Sequence, residues 1–398
     1  MKVILLVLDA LGVGQLSNGN TYETITRKNK KLDELVLSQI INYSIEKTRY
    51  KEEIKSITKE YRLETLLADN LIPSSSVPDS FLGHLEMIGN HAKVEEVYLE
   101  EEKSRLMKVL NQYGNIEYKN GFIFINDNIV IGNNAECSPG LNINVLALRA
   151  NLSVEVLIEI SEKILELTNC VRVIMMYGNN INIKQIYELG TEKRQNKDGA
   201  YRWYLKIPPL QIYNNRYKVQ HFGNKKLIPY LLNSINNSRE VNCVELIGKV
   251  AKMFQQDSMD IQTGYDGIET DKIFAALERN LKDRKRKLEF VWVNIQKIDL
   301  FGHQEDVESS SSEYQIIADK VVSIIEMLKQ NDVLLITADH GNDPKKNGAF
   351  HTYEKVPFII ISKNKIELSE FEFGNNNLTI ISSVIRKLLG LSESDVRK

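Results

Sequence analysis

The sequence predicts an α/β fold, with a mostly parallel sheet flanked by helices and an α+β domain inserted into it. Four continuous apolar runs, each followed by a polar residue or a turn, have the pattern of parallel strands that are covered on both faces. Segments with helical spacing of apolar residues lie between these runs. The middle of the chain instead groups several strand patterns around one helix pattern, which indicates a separate domain.

The four apolar runs supply the predicted strands of the core. They are MKVILLVLDALGVG at the start of the chain, EVNCVELIGKV (240–250), LEFVWVNIQ (288–296) and DVLLITADHG (332–341). A helix is predicted from Glu313 to Lys329, where apolar residues recur every three to four positions. The serine run 309–312 and the asparagine run 375–377 are predicted to be loops.

The inserted domain is predicted over residues 97–215, which leaves 1–96 and 216–398 as the core. It contains FIFINDNIVIG, which has the pattern of a hairpin turning around Asn126 to Asn128, and the helix-like stretch SVEVLIEISEKILEL. No acidic residue ends its strand patterns, in contrast to those of the core. This contrast supports a separate inserted α+β domain.

Composition narrows the classes of partner. The 398 residues are 42% hydrophobic and 26% charged with a formal charge of −2, so neither a nucleic acid nor a membrane surface is expected as a partner. Three widely spaced cysteines fit neither a disulfide framework nor a zinc ribbon, and favour the reducing cytoplasm. The run from Val3 to Leu8 is short and ends at Asp9, which predicts no secretion signal, and no stretch is long enough for a membrane helix.

Acidic and imidazole side chains follow two of the predicted strands. Asp9 ends the first, and Asp339 with His340 ends the last, eleven residues before His351. Ligands bind outside the carboxyl ends of parallel strands, and carboxylates with imidazoles suit transition-metal ions. For Asp9 alone, a helix cap is the alternative, and for His340 a surface turn.

A second pair and a hydroxyl extend this set. Asp299 and His303 form a DxxxH pair that could bind a metal or could simply face each other on one helical turn. Ser80 precedes a glycine-histidine step, where it could be a nucleophile or cap a helix. Three aspartates and three histidines are enough to hold two divalent ions, which can clamp the attacking and leaving oxygens of a phosphoryl transfer.

The motifs together resemble the alkaline phosphatase superfamily, and within it most closely phosphopentomutase, followed by cofactor-independent phosphoglycerate mutase. The resemblance rests on VLDALGVG, PDSFLGHLEMIG, DLFGH and TADHGNDP with FHTYEKVPFII, in matching order and approximate spacing, and extends to ELIGKVAKMF, GYDGIETDKIFAAL and RWYLKIPP. It implies an alkaline-phosphatase-like core, with the inserted α+β domain as a cap over the substrate.

The resemblance also implies roles for individual residues. One metal would be held by Asp9, Asp339 and His340, and the other by Asp299, His303 and His351. Ser80 would carry the phosphoryl group of a mutase that interconverts ribose 1-phosphate and ribose 5-phosphate. The implied ions are manganese, with zinc or magnesium as alternatives, together with a sugar bisphosphate activator.

Several positions depart from the phosphopentomutase pattern. Ser80 stands where those enzymes have threonine, Pro78 replaces a lysine, and the DLFGH spacing is one residue shorter. In the inserted domain, Asn142 or Asn144 stands in place of an aspartate that holds the ribose, and Arg194 and Arg202 are left as candidate phosphate contacts. A phosphatase or phosphodiesterase, a phosphoglycerate-mutase-like enzyme and a non-catalytic sugar-phosphate-binding protein are the alternatives to a pentose phosphomutase.

Overall fold

The apolar runs of the sequence form strands, and the segments with helical spacing form helices. The strands are β1 (Lys2–Leu8), β2 (Thr65–Leu71), β3 (Ile116–Lys119), β4 (Phe122–Ile125), β5 (Ile129–Asn134), β6 (Asn142–Leu148), β7 (Arg172–Gly178), β8 (Thr191–Gln195), β9 (Tyr201–Leu205), β10 (Lys218–Gly223), β11 (Cys243–Gly248), β12 (Ile261–Thr263), β13 (Glu289–Ile295), β14 (Val333–Thr337) and β15 (Val356–Ser362). The helices are α1 (Thr21–Thr26), α2 (Lys30–Asp33), α3 (Val36–Ile45), α4 (Lys51–Glu60), α5 (Ser80–Met87), α6 (Leu99–Leu110), α7 (Val154–Thr168), α8 (Lys249–Phe254), α9 (Thr270–Lys282), α10 (Lys297–His303), α11 (Val307–Met327) and α12 (Thr379–Leu388).

These elements belong to a computed structural model that divides into two units, residues 1–91 with 229–398 and residues 92–228. The residues it describes are 1–14, 16, 19–27, 29–74, 78–90, 96–137, 139–148, 152–179, 183–184, 188, 190–196, 198–205, 218–224, 231–232, 235, 241, 243–254, 261–283, 289–346, 351–371, 373 and 376–391. The asparagine run and the RWYLKIPP segment lie partly outside these ranges.

The first unit is built on a sheet whose strands run in the order β12-β11-β13-β1-β14-β15-β2. The strands from β12 to β14 are parallel, whereas β15 pairs antiparallel with both β14 and β2. Every residue of β1, β13, β14 and β15 is buried, as expected for strands with helices on both faces. The predicted α/β class with a mostly parallel sheet is confirmed.

The second unit is an α+β arrangement inserted in the chain between the two parts of the first. Its main sheet has the order β10-β7-β6-β5-β4-β3, and the β8–β9 hairpin joins it through β9, which pairs parallel with β5. Helices α6 and α7 pack on one face over a buried cluster that includes Leu106, Val145 and Ile160. The chain turns from β4 to β5 at residues 126–128, where the hairpin was predicted.

The prediction of a loop for the serine run is wrong. Residues 309–312 lie in the first turns of α11, which Asp306 caps by accepting a hydrogen bond from the Ser309 backbone N–H at 2.9 Å. The hydroxyls of Ser310, Ser311 and Ser312 donate to carbonyls four residues earlier, so the helix itself satisfies them. In the described ranges, no helix is both long and apolar enough to span a bilayer.

Candidate active site at the carboxyl ends of the strands

Two aspartates meet because their strands are neighbours. Asp9 follows β1 and Asp339 follows β14, and these strands are parallel partners, so their carboxyl ends open at the same edge of the sheet. The chain after Asp9 turns at once: Ala10 has φ of 68°, in the left-handed region that a non-glycine residue seldom adopts. This turn aims the Ala10 backbone N–H at Asp339 Oδ1, 3.0 Å away, and so joins the two strand ends.

Asp9, Asp339 and His340 form the first group of candidate metal ligands. One ligand atom from each lies within 4.8 Å of the others, and all three residues are buried. His340 Nε2 is 3.7 Å from Asp9 Oδ1 and 3.3 Å from Asp339 Oδ2. Burial opposes protonation of His340, but the charges of Asp339, Asp299 and Asp9 outweigh it and raise the pKa of the imidazole.

Asp299, His303 and His351 form the second group, with the same spread of 4.8 Å. Asp299 and His303 lie one turn apart on α10, with His303 Nε2 3.4 Å from Asp299 Oδ1. His351 Nε2 is 3.3 Å from the same oxygen and 3.2 Å from His303 Nε2. Three potential ligand atoms therefore lie close together. The pair Asp299 and His303 can face each other on one helical turn and also bind a metal, since the helical spacing brings both side chains to the same place.

The donor chemistry of both groups suits a divalent transition metal. Each combines at least one carboxylate with at least one imidazole, the mixture expected for manganese, zinc or iron-type ions. The groups adjoin, because the rings of His340 and His351 stack with centroids 3.8 Å apart. Burial, followed by the charge of Asp339, raises the pKa of Asp9 to about 6, as expected where two buried carboxylates face each other.

Ser80 lies beside the first group, as the first residue of α5. Its Oγ is 2.9 Å from His340 Nε2 and donates to Asp9 Oδ1 at 3.3 Å. Ser80 does not cap the helix, a role that the sequence allows alongside that of a nucleophile. Asp79 does so, since its Oδ1 accepts from the backbone N–H groups of Phe81 and Leu82 at 2.9 and 3.1 Å. The hydroxyl of Ser80 thus faces the carboxylates and imidazoles.

Lys249 is a member of the site to which the sequence reasoning gave no role. It starts α8 directly after β11, and its buried ammonium donates to Ser80 Oγ at 2.8 Å and to Asp9 Oδ2 at 3.1 Å. A buried lysine needs such a partner, because desolvation of an unpaired charge costs several kcal/mol. The signal was present in ELIGKV, where a polar residue follows an apolar run, the pattern that identified Asp9 and Asp339.

His84 and Asn294 form hydrogen bonds with the first group of ligands and with each other. Asn294 Nδ2 donates to Asp9 Oδ2 at 3.1 Å and lies 3.1 Å from His84 Nε2. The other ring nitrogen of His84 is 2.6 Å from the Ser80 carbonyl and 3.3 Å from Asp339 Oδ2. An imidazole protonated at Nδ1 satisfies these contacts, since it donates to the carbonyl and accepts from Asn294. His84 therefore orients its neighbours, as expected from the sequence.

Arg194, Arg202 and Asn142, the candidate substrate contacts, lie in the second unit. Arg194 and Arg202 stand opposite each other on β8 and β9. The Arg202 guanidinium lies 3.8 Å from the Tyr98 ring centroid and pairs with Glu101 and Asp198. Burial lowers the pKa of Arg194 to about 10. Asn142 is buried at the start of β6. Contact of these residues with a substrate stays a prediction.

The chain is similar to several known proteins. The profile of the metalloenzyme superfamily matches residues 1–393. A phosphopentomutase of Mycoplasmopsis pulmonis (strain UAB CTIP) is 31% identical over 134 residues, which is 33% of this chain and 33% of that protein. Among solved structures, Leishmania mexicana phosphoglycerate mutase at low cobalt concentration aligns with 98% of this chain and 95% of its own at 10% identity and a TM-score of 0.45. Alkaline phosphatase from the Antarctic bacterium TAB5 covers 98% of both chains at 11% identity and a TM-score of 0.37.

Proposed function

Because this chain belongs to the metalloenzyme superfamily, we propose that it is a metal-dependent phosphomutase that transfers a phosphoryl group through Ser80. One observation carries the proposal: the Ser80 hydroxyl is held between a buried ammonium, Lys249 Nζ at 2.8 Å, and the ligand group of Asp9 and His340. A serine becomes a useful nucleophile when positive charge stabilises its alkoxide form. The matched phosphopentomutase supports the mutase class, and its partial coverage leaves the reaction itself a proposal.

Six residues would hold two divalent ions. Asp9, Asp339 and His340 would bind the ion next to Ser80, and Asp299, His303 and His351 would bind the other. When bound, such ions offset negative charge on the attacking and leaving oxygens of the phosphoryl group. Manganese is the ion that we propose, and zinc or magnesium would suit the same donors.

The transfer itself is an exchange of two oxygen–phosphorus bonds. Ser80 Oγ forms a bond to the phosphorus of the bound ester while the bond from that phosphorus to the sugar oxygen breaks. The serine loses its proton, and the departing sugar oxygen gains one. Lys249 donates its hydrogen bond to Ser80 Oγ throughout and favours the deprotonated oxygen. In this half of the cycle the bound ester is a sugar bisphosphate. In the other half, a free hydroxyl of the sugar monophosphate forms a bond to the phosphorus of the phosphoserine while the bond from that phosphorus to Ser80 Oγ breaks, the hydroxyl loses its proton, and the bisphosphate is formed.

We propose a pentose phosphate as the substrate, with interconversion of the 1-phosphate and the 5-phosphate through a sugar bisphosphate. Support comes from the motif series and from the stretch of 31% identity to a phosphopentomutase. The guanidinium groups of Arg194 and Arg202 would contact phosphate and the amide of Asn142 a sugar hydroxyl. The proposed location is the cytoplasm, on the cysteine pattern alone.

The experiment that tests this proposal follows the phosphoryl group. The manganese-loaded protein is incubated with ribose 1-phosphate, glucosamine phosphates or phosphoglycerates, with and without a bisphosphate primer. We expect ribose 1-phosphate to become ribose 5-phosphate, and intact mass to show one phosphoryl group on Ser80. Ser80→Ala should lose both, whereas Ser80→Thr keeps a hydroxyl and should retain part of the turnover. Release of free phosphate as fast as substrate is lost would show a phosphatase instead.

A further inference from the structure

Glu354 is a fully buried carboxylate that accepts hydrogen bonds from three separate segments of the first unit. Its Oε2 accepts from the backbone N–H groups of Gly14 at 3.0 Å and Thr21 at 2.9 Å. Its Oε1 accepts from the hydroxyl of Thr21 at 2.7 Å and from that of Thr352. Four donors thus meet one carboxylate, whose burial is otherwise unfavourable, and no step of the proposed reaction uses this group.

The backbone around Glu354 is shaped to admit it. A Cβ atom added to Gly12, Gly19 or Gly341 would lie 2.4, 2.7 or 2.3 Å from a carboxylate oxygen of Glu354. Such approaches are shorter than van der Waals contact, so only glycine leaves room at these three positions. Gly12 lies in the loop that follows Asp9, and Gly341 directly follows His340. The carboxylate of Glu354 therefore packs against the two loops that carry the first ligand group.

The donors to Glu354 also reach the second ligand group. The Thr21 hydroxyl accepts from the backbone N–H of Asn342 at 2.9 Å, and the Asn342 side chain donates to Asp299 Oδ1 at 3.0 Å. Thr352, the residue after His351, exchanges backbone hydrogen bonds with Gly341, the residue after His340. Short chains of hydrogen bonds from one carboxylate thus end at Asp299 and beside both stacked histidines.

We propose that Glu354 is a positioning residue that holds the two groups of metal ligands at the separation needed for a pair of ions. This inference rests on the proposed two-metal function. Ion pairs that act together on a phosphoryl group lie about 3.5–4 Å apart, so a small shift of one loop against another would separate them. A carboxylate suits the task because it only accepts hydrogen bonds and has capacity for four.

Glu354→Gln is the informative substitution because it keeps the shape and removes acceptor capacity. The amide nitrogen of glutamine is a donor and would replace one carboxylate oxygen. In one orientation it would face the backbone N–H groups of Gly14 and Thr21, and in the other the hydroxyls of Thr21 and Thr352. We expect the variant to bind its first manganese ion normally and its second about 10- to 100-fold more weakly, the range typical for partners of metal ligands. The electron paramagnetic resonance spectrum should change from that of a coupled ion pair toward that of isolated Mn²⁺.

Asp332→Asn is the matched control. Asp332 is also buried and accepts backbone hydrogen bonds, from Lys2 and Lys329 at 3.0 Å each, but it precedes β14, whereas the ligands follow that strand. This variant should lose thermal stability and keep the coupled spectrum. If Glu354→Gln does not fold, Thr21→Val and Thr352→Val each remove one hydroxyl donor without change of shape, and the same weakening of the second ion is expected.

The outcomes separate the two proposals. If the unchanged protein binds a coupled pair of ions and Glu354→Gln, or both threonine variants, bind it with the same affinity and spectrum, the role of Glu354 is refuted while the two-metal function stands. If the unchanged protein binds at most one ion at saturation, the two-metal function fails, and the inference about Glu354 fails with it.

Discussion

Lys249 Nζ lies 2.8 Å from Ser80 Oγ, although the two residues are separated by 169 positions in the chain. The same ammonium is 3.1 Å from Asp9 Oδ2. It is therefore the fixed positive charge closest to the proposed nucleophile among the described side chains, and it is supplied by the protein itself. If Ser80 is the nucleophile, as proposed, its reactivity is expected to depend on this lysine, which lies outside the two ligand groups.

Lys249→Met should lower kcat for sugar phosphate turnover by about 100-fold or more, the usual effect of removing one donor to a charged oxygen. The thioether chain fills the same space, so two manganese ions should still bind. Lys252→Met is the control, because Lys252 is on the same helix and exposed. Unchanged turnover in Lys249→Met, measured with saturating substrate, would show that the lysine does not assist the reaction.

The two ions should differ in their dependence on pH. Burial and Asp339 raise the pKa of Asp9 to about 6, so a proton competes with the ion there as the pH falls through this value. Burial, followed by the charge of His340, lowers the pKa of His351 to about 4, so its ring is already neutral and available at pH 5. The pKa of His340 in the same group is raised as well, so below pH 6 the ion must displace a proton from both residues. Affinity of the first group should then fall up to about 100-fold for each pH unit below 6.

Metal content after equilibration at pH 7.5, 6 and 5 checks this difference. Two ions per chain are expected at the highest value and one at the lowest, retained by Asp299, His303 and His351. Asp9→Asn should bind one ion at every pH. Loss of both ions over the same pH range would contradict the assignment of separate groups.

Gly83→Ala should disturb the site through packing. Alanine is favoured over glycine inside a helix by about 1 kcal/mol, but a Cβ at position 83 would lie 2.6 Å from the backbone oxygen of Asp339. Overpacking of this kind costs about 1–3 kcal/mol, and it pushes the helix of Ser80 away from the end of β14. The midpoint temperature of thermal unfolding and the turnover rate of the variant should both decrease.

Gly390→Ala provides the comparison for that substitution. Gly390 has φ of 68°, and among the described residues other than its chain neighbours no atom lies within 4 Å of an added Cβ, so only backbone strain of about 1 kcal/mol is expected. Turnover should stay unchanged. If both variants lose stability equally and neither loses turnover, the close packing of α5 on Asp339 does not position Ser80.

The arginines of the second unit can be tested through the Michaelis constant. Arg194→Ala and Arg202→Ala should each raise KM for ribose 1-phosphate by about tenfold or more, since a hydrogen bond to a charged group contributes about 1.5–3 kcal/mol. Arg105→Ala, at an exposed position that pairs with Glu102, is the control. If Arg202→Ala loses stability while its KM is unchanged, Arg202 stabilises the fold through its ion pairs with Glu101 and Asp198 and does not contact the substrate.

Several features were predictable from sequence because they depend on residues near one another in the chain. Four of the seven core strands, β1, β11, β13 and β14, were predicted within a few residues of their observed ends, and Asp9 and Asp339 were recognised because each follows an apolar run. The serine run 309–312 was wrongly predicted to be a loop, although its interactions are also local. The cap at Asp306 and the hydroxyls that donate to carbonyls of their own helix can be recognised only once the helix is known.

The contacts that hold the candidate substrate residues show the opposite case. Arg202 was proposed as a phosphate contact from motif position, but its stacking on Tyr98 and its pair with Glu101 involve residues about a hundred positions away. Such contacts depend on how β9 packs in its unit, and no periodicity of the sequence predicts them.

By itself, the sequence identified the carboxylates, the imidazoles and the serine that are candidates for the chemistry, since residue type and the strand and helix patterns around them are local properties. Only the tertiary structure decided how they are held. Lys249 beside Ser80, Asn294 beneath Asp9 and Glu354 between the loops all depend on contacts across hundreds of residues. A buried polar group must find its partner in space, and the order of strands in the sheet, rather than their order in the chain, decides which partner is within reach.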